Sequence, residues 1–189
     1  MNQPPLPYLL IDDDFSLNLS LVVMIIKRHS LSSKKKAILD FEKLQIFLYL
    51  TKNPSKINPI LSLAGKKNAS ISSQYTYTIE SLSTNVDMLF DRSKLRILLK
   101  ELAARGFLTC EFDSKDGALK YLLSNNGELF FQNIYNKELA TENESEITFN
   151  SITQNYFHAS MEAIDSLSAL QSQTNSKLNY YLSNIFRRN

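Results

Sequence analysis

With 189 residues, 43% of them hydrophobic and 11% aromatic, the chain has enough apolar material for one packed core, with room for an appendage. A formal net charge of +2 spreads no large field over the surface, so charge alone announces neither nucleic acid nor an anionic membrane, although local basic patches remain open. A single cysteine, Cys110, excludes a disulfide framework and favours a reduced, intracellular setting.

Met1 to Pro7 holds three prolines and reads as an extended arm running into Tyr8-Leu9-Leu10-Ile11. Asp12, Asp13 and Asp14 then stand where a helix amino terminus welcomes negative charge, ahead of an apolar stretch that closes at Lys27-Arg28-His29. Consecutive aspartates diverge around a helix and no second carboxylate or His cluster accompanies them, so capping is preferred to a metal site. The longest apolar run, Leu21 to Ile26, falls well short of the roughly 20 residues that span a bilayer. The acidic triplet stands where a signal peptide wants Lys or Arg, which points to the cytoplasm. Apolar residues lie on nearly every side of this first helix, so it is either sandwiched in the core or shared with another subunit.

Ser30 to Lys36 is a basic loop. A second helix from Asp40 to Lys52 carries Phe41, Leu44, Phe47, Leu48 and Tyr49 and stops at Asn53-Pro54. A third, roughly Ser55 to Ala64, ends at Gly65. Two short helices joined by a tight turn make the front half of a helix-turn-helix unit. An insertion at about 66–90 follows, with Tyr75, Tyr77 and Ile79 alternating as in a strand.

Asp91 caps the next predicted helix, whose Leu95, Leu98, Leu99 and Leu102 form one buried stripe before Gly106 ends it. Leu108, Cys110 and Phe112 then alternate with Thr109, Glu111 and Asp113, the period of a half-buried strand. This pattern places Cys110 on the inner face as an inert thiol. Ser114-Lys115-Asp116-Gly117 supplies a turn, Leu119, Tyr121 and Leu123 form the return strand, and Ser124-Asn125-Asn126-Gly127 opens another helix. Helix, hairpin, helix in this order is the grammar of a winged helix. The fold expected is therefore mainly α with a small β-hairpin wing: a core over residues 1–139, then a linker and helical tail over 140–189. The tail, from Thr148 to Phe186, reads as one long helix or two in line, polar on its other faces, and suits docking on the body or on a partner.

Two histidines, His29 and His158, lie beside no Ser or Cys motif, and four glycines leave no phosphate-cradling loop. No enzyme, cofactor or metal site is expected. The best candidate for binding is the outer face of the helix after Asp91, where Arg92, Arg96 and Lys100 recur every four residues with Lys94 further round and Ile97 near the centre. Lys115 at the hairpin tip extends it. Such a face suits either a DNA groove or a protein partner, and the exposed Ile97 favours protein.

Phe15-x-x-x-Leu19, the run Phe41-Glu42-Lys43-Leu44-Gln45-Ile46-Phe47-Leu48 closed by Lys52-Asn53-Pro54, and Leu89-Phe90-Asp91-Arg92-Ser93-Lys94-Leu95 together resemble the small middle components of bacterial ABC-three-component conflict systems. Subunits of the same class occur in Lamassu defence operons. The resemblance, over about residues 8–135, implies a non-enzymatic subunit between an SMC-like coiled-coil ATPase and an effector, commonly a nuclease, in immunity against phage or plasmids. DNA contact is then expected through the complex. The competing expectation is a homodimeric winged-helix transcription regulator. In it the first helix and tail form the dimer interface while Arg92, Arg96 and Lys100 read an operator.

Overall fold

The computed structural model describes residues 15–71, 92–140 and 149–187. The aspartate triplet at 12–14, the alternation at Tyr75 to Ile79, the Asp91 cap and the linker from 141 on lie outside the described residues.

Helix α1 (Phe15–His29) is the axis of the molecule. All six residues from Leu21 to Ile26 are buried, and α1 is packed by elements from both halves of the chain. A helix apolar on every side needs neighbours on every side, and here its own chain supplies them. Lys27 and Arg28 in its last turn complement the negative end of the helix dipole.

A loop closed by the bridge Leu31↔Ala37 leads into an extended segment, and the Leu39 carbonyl accepts a hydrogen bond from the Tyr121 N–H at 2.9 Å. Helix α2 (Phe41–Lys52) starts at an Asp40 cap whose side chain accepts from the Lys43 N–H. Asn53 closes it by donating to the Tyr49 carbonyl, and Pro54 imposes a single 3-10 turn, Pro54–Lys56, before α3 (Ile57–Leu63).

Helix α4 (Arg92–Ala104) buries Leu95, Leu98, Leu99 and Leu102, the stripe expected. It ends at Gly106 with φ +70°, where the Phe107 N–H reaches the Leu102 carbonyl at 2.8 Å. Only glycine takes that conformation without penalty, and the bond closes an orphan carbonyl of the last turn. Strands β1 (Leu108–Asp113) and β2 (Ala118–Leu123) pair antiparallel in the register Leu108↔Leu123 through Asp113↔Ala118. Ser124 then does two jobs. Its hydroxyl donates to the Gly106 carbonyl at 2.6 Å and accepts from the Gly127 N–H at 3.1 Å, capping α5 (Asn125–Ala140) against the end of α4.

Two corrections concern the hairpin. Its predicted inner face is inner only at the base, where Leu108, Tyr121 and Leu123 pack on the core; Cys110 is exposed, Phe112 is 66% exposed and Leu119 is 50% exposed. The ribbon projects past the body, so alternation continues after there is nothing left to pack on. Conversely, Lys120 on the supposedly wet face is buried. Its ammonium meets Asp116 Oδ2 at 2.6 Å and Asp40 Oδ2 at 3.3 Å, and these carboxylates make its burial tolerable.

The tail is two helices and not one. Helix α6 (Phe149–Ser166) passes through a 3-10 turn, Leu167–Leu170, and a Thr174 cap into α7 (Asn175–Phe186). Both dock on the body: α6 packs on α1 and α2, and α7 on α2 and α3. Ile164, Leu167, Leu170, Leu178 and Leu182 join the same core as Leu21, Leu44, Phe47 and Ile60. Polar bonds fix the seating: His29 Nε2 to the Ile164 carbonyl at 2.7 Å, Lys43 Nζ to the Gln171 carbonyl at 3.0 Å, and Asn175 Nδ2 to both Asp40 oxygens at 3.0 Å.

Candidate interaction surface

The stripe of leucines that seats α4 dictates what its opposite face offers. Arg92, Lys94, Arg96, Ile97 and Lys100 are all exposed. Ile97, 57% exposed, sits among cations on a face that faces water. The basic residues are not equivalent. Arg92 pairs with Glu42 at 3.3 Å and lies 6.0 Å from the Phe41 ring centroid, while Arg96 lies 5.9 Å from the same ring. The Phe41 ring attracts both guanidinium groups and limits what each loses on binding. Further along, Arg105 pairs with Glu101 at 2.7 Å. The Lys100 ammonium has no partner among the described residues, and neither does the ammonium of Lys115 at the exposed hairpin tip.

Sequence reasoning missed Phe41 and Glu42, which belong to α2 and organise the first turn of α4. From sequence alone Phe41 belongs to the apolar stripe of the second helix and Glu42 carries no assigned role. The clue was available: Glu42 follows Phe41 in a helix whose inner residues are already supplied by Leu44, Phe47 and Leu48. Beside them is a cleft of about 160 Å3 lined by Glu42, Ile46, Arg92, Leu182 and Phe186 among others, below the roughly 300 Å3 from which small-molecule pockets start.

Electrostatics at the hairpin serve structure. The Asp113 carboxyl is held below its ordinary range first by the Lys115 backbone N–H and then by Lys36, whose Nζ lies at 3.1 Å. For Lys120 the largest influence is burial, which pulls its pKa down, yet Asp116 and Asp40 together outweigh burial and leave it raised. Partial burial pushes the Cys110 thiol up, so although the residue is exposed its reactive thiolate is scarce. Among the described residues no group of three or more His, Cys, Asp or Glu is placed to hold a metal ion, and no helix is long and apolar enough to cross a membrane.

The described residues form a mainly helical body with a two-stranded antiparallel sheet and a charged, exposed face on α4. Residues 29–141 match the family described as ABC-three component (ABC-3C) system Middle Component 4, and the chain belongs to that family. It is thus one component of a multi-component system. No curated protein and no solved structure matches it.

Proposed function

We propose that this chain is the non-catalytic linking subunit of a defence complex against phage or plasmids. One surface grips an SMC-like coiled-coil ATPase, and another holds an effector nuclease inactive until foreign DNA is sensed. The α4 face is the principal contact, with the hairpin beside it as the wing of a winged helix. The observation that carries this reading is the exposed row Arg92, Arg96, Lys100 around Ile97, stiffened from behind by Phe41. Family membership supports the role of linker. The winged-helix reading is supported by the Tyr121 N–H bond to Leu39, which adds a third extended segment to the hairpin on the side a winged helix uses. Apolar and cationic groups interleaved on one rigid helix suit an acidic protein surface with an apolar spot better than a bare phosphate backbone.

The regulator reading loses support on one count. The faces of α1 and of the tail it needs for dimerisation are buried inside one chain. The test is co-purification of this chain with the products of the genes beside it. The wild-type chain is expected to elute with the ATPase, and the double variant Arg96→Glu, Lys100→Glu is expected to bind at least tenfold more weakly while its melting temperature is unchanged. A wild-type chain that elutes alone with the ATPase present would overturn the proposal.

A further inference from the structure

Among the described residues, strand β1 is the open edge of the small sheet. The Ser124 N–H bonds to the Phe107 carbonyl at 3.0 Å, which makes 107 and 124 a hydrogen-bonded pair. In an antiparallel ladder such pairs alternate, so Thr109, Glu111 and Asp113 exchange bonds with β2 while Leu108, Cys110 and Phe112 aim their N–H and C=O groups away from it. The same parity turns Tyr121 outward on the far side, where its N–H indeed meets Leu39. Cys110 and Phe112 have no hydrogen-bond partner for these groups among the described residues.

Natural edges are blunted by proline, lysine, bulges or a covering element. Among residues 108–113 there is no proline, lysine or bulge, and Thr109, Cys110, Glu111 and Phe112 are all exposed. The side chains accompanying the free backbone groups are apolar: Phe112, its cross-strand neighbour Leu119, and Cys110. Open backbone and an apolar ledge on one strand constitute a template for another strand.

We infer that the occupant is β1 of a second copy of this chain, paired antiparallel across a two-fold axis at Cys110. Charge and strand length together select this register, since an axis at Thr109 would set Phe112 against Gly106, outside the partner's strand, and leave its outward groups unpaired. An axis at Glu111 sets Glu111 directly against its own copy, and an axis at Phe112 sets Glu111 against Asp113; both oppose like charges. An axis at Cys110 sets Glu111 against Thr109, Phe112 against Leu108, and Cys110 against itself. No like charges are opposed, each outward backbone group gains a partner, and the patch is self-complementary as an isologous interface requires. This pairing goes beyond the linking role proposed above and does not depend on it.

Sedimentation of the full chain over a rising concentration series tests the pairing, with copper phenanthroline added in parallel samples to oxidise thiols. The expected result is a monomer–dimer equilibrium and a Cys110–Cys110 crosslink whose yield saturates with the dimer fraction. Thr109→Lys, which puts an ammonium opposite Glu111 twice per dimer, is expected to tighten the dimer roughly tenfold, and Thr109→Glu to weaken it by a similar factor. Cys110→Pro removes an N–H that β2 does not use, and is expected to abolish the dimer with the circular dichroism spectrum retained. A monomer at every concentration overturns the inference. So does a dimer indifferent to both Thr109 variants, or a crosslink yield that climbs with concentration without a plateau. Hydrogen-exchange protection of β1 that requires another component of the complex, in a chain that sediments as a monomer, assigns the edge to that component instead and equally overturns it.

Discussion

His29 shows how a single side chain can join the ends of a fold. Its ring is buried, edge-on to Phe47 with centroids 5.0 Å apart, and Nε2 serves the Ile164 carbonyl while Nδ1 has no partner. Burial lowers its pKa below the ordinary 6.5, against the smaller raising influences of Ile164 and Asp165. The neutral form is therefore the one the fold accepts. The unfolded chain takes up the proton first as pH falls, so the His29 contribution is complete above 6.5 and is lost as pH drops from there through the folded-state value. Urea midpoints measured between neutral pH and pH 5 are expected to fall, and less so in His29→Gln. Phe47, fully buried against that ring, is expected to cost about 3–5 kcal/mol on truncation to alanine, read from the same denaturation curves. For Lys120→Ala the expectation is about 2 kcal/mol, since Asp116 can turn to water while Asp40 keeps Asn175 and the Lys43 N–H.

At the level of elements, boundaries were legible where backbone chemistry sets them. Asp40, Gly106, Gly117 and Ser124 each announce a start or a turn, and each stands where α2, α4, the hairpin and α5 need it. The facing of the hairpin was not legible, because alternation reports which side chains share a side and not how far the body extends beneath them. Phe112 and Leu119 obey the period and overhang it; Lys120 breaks expectation because Asp40, distant in sequence, joins the neighbouring Asp116 in waiting for it. Nor did sequence reveal the tight place at Gly127, where an added Cβ would lie 2.2 Å from the Phe107 carbonyl oxygen and 3.3 Å from Leu123 Cβ. Gly127→Ala is expected to force α5 off the base of the hairpin and cost about 1–3 kcal/mol, visible as a lowered melting temperature. The basic row on α4 was read from four-residue spacing alone, but its stiffening by Phe41 needed two helices brought together.

For the molecule as a whole, the tail belongs to the core. A chain ending at Ala140 loses Ile164, Leu167, Leu170, Leu178 and Leu182 from the packing around α1 and α2. It is expected to expose enough apolar surface to bind the dye ANS and to lose its cooperative melt. A polar-faced tail left its destination open in the sequence, because Ser, Asn and Gln serve equally for water and for the carbonyls of a neighbouring helix. Gln171, which donates to the His29 and Leu31 carbonyls, and Asn175 on Asp40 settle it.

The burial of α1 by α6 also bears on how the chain is born. His29 and Ile164 are 135 positions apart, so a ribosome makes this apolar helix well before the helix that covers it. Throughout that interval the nascent polypeptide has no way to hide Leu21 to Ile26 completely, which makes it a natural client for a chaperone.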